Sequence, residues 1–128
     1  TDYPTSDGTC IRDFIHVCDL VQAHRAALAH LAVGRGSATW NCGYGRGYSV
    51  REVIDAVRRV SGRSIAVRES GRRPGDITTM VADTSRIRAA TNWTPAFDNL
   101  DTIAAHALAW EERWLAQRGV AAPALAMG

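Results

Sequence analysis

The order of signals between residues 38 and 68 limits the fold more than any other feature of the chain. An extended run at 38–42 leads into the loop Gly43-Tyr44-Gly45-Arg46-Gly47, and a helix signal follows at once. Ser49 with Glu52 three positions on is a capping box, and Val50, Val53, Ile54, Val57 and Val60 fall on one helical face that Ser61-Gly62 closes. Residues 65–68 then read as a further strand. Two strands joined by a helix pair in parallel through a right-handed crossover, which places the chain in the α/β class.

The flanking segments fit that class. Residues 1–9 are polar and turn-rich, and residues 10–17 read as an extended stretch with β-branched and aromatic content. Asp19 and Gln22 form a second capping box for a helix reaching about Val33, with Leu20, His24, Ala27, Leu28 and Leu31 as its expected buried face. Asp83 is placed to cap a short helix over 84–90, and Asn99 or Asp101 a last one ending near Arg118-Gly119. At 128 residues there is room for one core, assigned to residues 1–119, with a frayed tail over 120–128. Cys10, Cys18 and Cys42 are odd in number and form no C-x-x-C, so a reducing, cytoplasmic setting is expected. Apolar runs are short, and no membrane segment is expected.

All fifteen basic side chains are arginine. Without lysine there is no Schiff-base nucleophile, P-loop lysine or tyrosine-lysine dyad, whereas arginine offers a planar fork of donors for carboxylate or phosphate. The net charge of +2 does not indicate nucleic acid binding. The glycine loop admits three readings: tight turns with close packing, an approach to a ligand held elsewhere, or a dinucleotide loop whose third glycine is displaced by Tyr48. Arg72-Arg73-Pro74-Gly75-Asp76 combines phosphate donors with a carboxylate able to accept from sugar hydroxyls, a mix suited to a nucleotide or nucleotide-sugar; a solvated charged loop is the alternative. Arg12-Asp13 sits in an otherwise apolar run and reads either as a cleft-facing pair or as an internal ion pair. The histidines and cysteines lack zinc spacing, and no serine lies in a nucleophile elbow.

Taken in order, Asp2-Tyr3-Pro4-Thr5, the run from Asp7 to Leu20 that includes Arg12-Asp13-Phe14-Ile15-His16-Val17, Gly43-x-Gly45-x-Gly47-x-Ser49-Val50-x-Glu52-Val53, Arg72-Arg73-Pro74-Gly75-Asp76, Ala82-Asp83-x-Ser85 and Asn92-Trp93-x-Pro95 closely resemble the C-terminal part of the UDP-glucose 4-epimerase family, within the extended short-chain dehydrogenases/reductases. The resemblance covers about residues 2–114. It implies the small substrate-binding α/β portion of an extended Rossmann-type enzyme, with the N-terminal dinucleotide-binding half absent from these residues. The implied role is to bind the UDP-sugar of an enzyme that interconverts UDP-glucose and UDP-galactose through an NAD-dependent 4-keto intermediate, in galactose metabolism.

By the same resemblance Arg12 approaches the diphosphate, Arg73 is its main ligand, Asp76 accepts from the uridine ribose and Met80 lines the sugar pocket. Asp13 and His16 are expected to fix the fold. The family's Y-x-x-x-K pair and its N-terminal glycine motif have no counterpart here, so the chain alone is expected to bind no NAD and to be inactive. A portion of a related nucleotide-sugar dehydratase, decarboxylase or reductase, and a standalone binding or structural protein, are the alternative readings. The expected partners are a UDP-sugar and either the Rossmann half or a second copy over an exposed apolar face.

Overall fold

The computed structural model describes residues 1–119, and the tail expected at 120–128 lies outside them. Three two-residue strands and four helices follow one another along these residues: β1 (Ile11–Arg12), α1 (Val17–Ala32), β2 (Tyr48–Ser49), α2 (Val50–Ser61), β3 (Thr79–Met80), α3 (Ser85–Ala90) and α4 (Leu100–Gln117). The sheet order is β2-β1-β3. β1 pairs antiparallel with β2, Ile11 opposite Ser49, and parallel with β3, Arg12 opposite Met80.

The α/β class stands, and two of the expected strands do not. Residues 38–42 and 65–68 carry strand-like side chains but form no strand. A strand exists only through hydrogen bonds to a neighbour. Among the described residues nothing forms a ladder with either run, and the Ile65 carbonyl accepts from the Arg58 guanidinium at 2.9 Å. The expected parallel crossover through α2 is therefore replaced by the β1–β3 pairing.

Local capping chemistry sets the helix starts. Ser49 and Glu52 make the full reciprocal box on α2, and Asn99 Oδ1 accepts from Thr102 N–H at 2.9 Å on α4. α1 begins three residues earlier than its expected cap: His16, not Asp19, is the N-cap, its Nδ1 accepting from Cys18 N–H at 3.0 Å. The buried face of α1 is also rotated from the expected one. Asp19 and Ala23 are buried, while Leu28 and Leu31 are 67% and 51% exposed. Asp19 dictates the rotation, because its carboxylate is claimed by Tyr44, Ala96 and Phe97.

In place of one continuous core there are two small apolar clusters. Ala23, Ile87 and Trp93 pack with Ile15, Ala26, Trp40 and Cys42; Ala56, Leu100 and Ala104 join α2 to α4. The buried groups Asp19, His16 and Tyr44 supply polar links, and the Trp93 indole N–H donates to the Asp19 carbonyl at 2.9 Å. No helix among the described residues is long and apolar enough to cross a membrane.

Candidate functional site

The parallel β1–β3 pair gathers the charged residues. Beyond β1, the backbone reaches β3 from the turn at residues 73–76, where Gly75 takes φ +80° and Asp76 N–H donates to the Arg73 carbonyl at 3.2 Å. That geometry brings Asp76 against Arg12, 2.8 Å from Nη2 to Oδ1. The other carboxylate oxygen accepts from the Tyr3 hydroxyl at 2.7 Å. Arg73 lies on the same carboxylate at 3.8 Å.

These four side chains differ in freedom. Arg12 spends Nη1 on the Ile11 carbonyl at 2.7 Å and on Thr78 at 3.5 Å, and Nη2 on Ile77 at 2.9 Å as well as on Asp76. Its Nε–H is the donor left over. Arg73, by contrast, has a side chain 87% exposed. Asp76 has two lone-pair sites unused by Arg12 and Tyr3. The Tyr3 hydrogen bond holds its carboxyl below the ordinary range against partial burial, with Arg12 and Arg73 adding to the effect. The same bond pushes the Tyr3 phenol upward.

Arg73 and Asp76 open onto a cleft of about 660 Å³ whose wall includes Arg51, Arg58, Arg68 and Arg72. Glu69 pairs with Arg51, Asp55 with Arg58 at 3.1 Å and Asp2 with Arg72. Arg68 makes no ion pair among the described residues, so the cleft keeps two cations with little or no compensation, Arg68 and Arg73. Such a surface attracts a compact polyanion.

The sequence-based site is thus brought together in most of its parts. Arg12, Arg73 and Asp76 form one cluster. Met80 lies outside it, 54% exposed on β3 and paired across the sheet with Arg12. Arg12 bonds to Asp76, and the internal pair considered with Asp13 does not form. Tyr3 is the member of the cluster to which the sequence assigns no role, although it lies within the Asp2-Tyr3-Pro4 motif; its only signal there is a phenol near several acids and arginines.

The glycine loop resolves to packing. The Asp13 carboxylate accepts from Tyr44 N–H at 2.9 Å, Gly45 N–H at 2.9 Å and Ala82 N–H at 3.2 Å, so the protein's own anion fills the nest of amides. A Cβ on Gly43 would stand 2.5 Å from Asp13 Oδ2, and one on Gly47 would stand 2.9 Å from Val81 and closer still to Ile11. The loop does not fit a dinucleotide phosphate. Asp13 fixes this corner, and His16 fixes the start of α1 and meets His106 at 3.0 Å.

Known proteins resemble this chain over most of its length. Residues 3–43 match the model of the NAD dependent epimerase/dehydratase family. The chain is 54% identical over 111 residues to a UDP-glucose 4-epimerase of Azospirillum brasilense, an alignment covering 87% of this chain and 32% of that protein. Among solved structures, the UDP-Glc/GlcNAc 4-epimerase of Campylobacter jejuni is 48% identical with a TM-score of 0.78, over 88% of this chain and 34% of that one. The UDP-glucose-4-epimerase of Stenotrophomonas maltophila, solved with bound NAD and formylated UDP-arabinopyranose, is 37% identical with a TM-score of 0.84, over 91% and 34%. The chain therefore spans about a third of the length of the relatives it matches. Along most of its length, in sequence and in the course of its backbone, the chain is similar to about a third of a UDP-glucose 4-epimerase, and its residues 3–43 match the NAD dependent epimerase/dehydratase family.

Proposed function

We propose that this domain supplies the nucleotide-diphosphate face of a UDP-sugar 4-epimerase, acting on UDP-glucose and UDP-galactose. The observation that carries the reading is the exposed Arg73 guanidinium at the mouth of an arginine-walled cleft, beside a carboxylate with spare acceptor sites. Arg73 donates to the diphosphate as a planar fork, Arg12 adds its remaining Nε–H, and Asp76 accepts from ribose hydroxyls. Met80, next to Arg12 on β3, faces the sugar side.

NAD, when bound, takes up and returns the hydride at the sugar carbon in enzymes of this family. The described glycine loop is filled by Asp13, and the sequence holds no lysine to lower a tyrosine pKa, so binding and orientation of the nucleotide are the tasks assigned to these residues. The remainder of a family enzyme, a Rossmann half, is the partner proposed for the exposed face of α1. Calorimetric titration of the chain with UDP tests the site: Arg73→Ala is expected to weaken binding roughly 10–100-fold, the worth of a charge-assisted hydrogen bond. Equal affinity for the two proteins would exclude Arg73 as a diphosphate ligand.

A further inference from the structure

An exposed arginine serves an anionic ligand only while its own carboxylate neighbour leaves it free, and here that neighbour is three residues away. Asp76 Oδ2 stands 3.8 Å from Arg73 Nη2. Both groups sit on one turn, and a small rotation of the Asp76 side chain would close the pair to direct contact. Two donors oppose that rotation. The Tyr3 hydroxyl occupies the same Oδ2 at 2.7 Å, and Arg12 holds Oδ1 at 2.8 Å.

Tyr3 itself is fixed. It is 8% exposed, and the Arg72 guanidinium lies 4.3 Å over its ring while bonding to Asp2. The Asp2-Tyr3 segment is thus fastened to the arginine turn at both ends, by Arg72 and by Asp76. We propose that Tyr3 is a positioning residue that keeps Asp76 from closing onto Arg73, so that the Arg73 guanidinium stays available to a diphosphate. This rests on the nucleotide-site reading above and adds to it a residue that touches no ligand. The desolvated, held phenol fixes where Oδ2 points, and with it the 3.8 Å distance to Arg73, although that oxygen keeps a lone pair open.

Inorganic pyrophosphate is the suitable probe, because it lacks a ribose and so reports on Arg73 without involving the sugar-side role of Asp76. Titrated into the chain, it is expected to bind Tyr3→Phe about fivefold more weakly than the wild type, the consequence of one lost hydrogen bond redirecting the carboxylate. Adding Asp76→Asn to Tyr3→Phe removes the quenching charge and is expected to restore the affinity. Damage to the fold would not be repaired in this way. Unchanged binding by Tyr3→Phe, or a loss that Asp76→Asn does not restore, would overturn the proposal.

A ligand-free readout separates this inference from the reading beneath it. The ¹H–¹⁵N signal of Arg73 Nε–Hε is expected to shift in Tyr3→Phe as the ion pair tightens, and an unmoved signal counts against Tyr3. If Arg73→Ala binds pyrophosphate as the wild type does, the nucleotide-site reading fails, and the Arg73 signal still decides whether Tyr3 governs the pair.

Discussion

Asp19 is 2% exposed, and its carboxylate accepts three hydrogen bonds, from the Tyr44 hydroxyl at 2.6 Å, Ala96 N–H at 2.9 Å and Phe97 N–H at 2.8 Å. Burial alone would raise its pKa; the bonds from Ala96, Tyr44 and Phe97 outweigh burial and lower it. Asp7 follows the same pattern, burial being outweighed by Ser49 and Thr9. Both carboxylates therefore bind protons less readily folded than unfolded, so their stabilisation is present above the ordinary carboxylate range and is lost as pH falls through the folded values. Denaturant melts at a series of pH values are expected to show stability falling below about pH 4. Asp19→Ala, which strands three buried donors, is expected to cost about 3 kcal/mol or more in the same assay. The sequence points to Asp19 as the cap of α1, a position that His16 takes, and the role Asp19 does have could not be read, because the donors it serves lie 25 to 78 positions away. Arg12, Arg73 and Asp76 stand out in the sequence because their chemistry is specific even before their distances are known, and the fold brings the three side chains into one cluster.

At the scale of elements, the strands are short and their register depends on close approach at one glycine. Gly47 has its φ on the ordinary side, so its requirement is space: any Cβ would enter the Ile11 and Val81 side chains. Gly47→Ala is expected to cost roughly 1–3 kcal/mol by overpacking, whereas Gly71→Ala, with nothing within 4 Å of the added carbon, leaves the melting curve in place. Ser49→Ala removes the cap of α2 and a bond to Asp7, an expected loss of about 1–2 kcal/mol measured by urea denaturation. The Ser49/Glu52 capping box and the apolar face of α2 could be read because they depend on neighbours three or four residues apart, whereas the box expected at Asp19 and Gln22 does not form, His16 being the cap. Residues 38–42 and 65–68 have the side chains of strands and do not form them for the opposite reason: their periodicity is local, and pairing is not. The buried face of α1 differs from the expected one because helical spacing marks an apolar stripe without saying which structure covers it.

The whole molecule leaves that stripe uncovered. Val17, Val21, Leu28 and Leu31 follow one face of α1 and are 66%, 51%, 67% and 51% exposed. The chain on its own is expected to self-associate with rising concentration, and replacing Leu28 and Leu31 by Glu to shift light-scattering mass toward the monomer; a monodisperse wild-type monomer at high concentration would contradict this. Added to UDP-galactose and NAD⁺, the chain is expected to form no UDP-glucose. A second cleft, about 710 Å³ between α1 and the segment around Trp93, also carries two arginines, Arg25 and Arg35, so location is the decisive question. Amide and arginine side-chain spectra recorded during titration with UDP answer it directly. The expected result is a set of shifts centred on Arg12, Arg68, Arg73 and Asp76; shifts confined to Arg25, Arg35 and Trp93, with the Arg73 turn unmoved, would contradict the assignment of the nucleotide face.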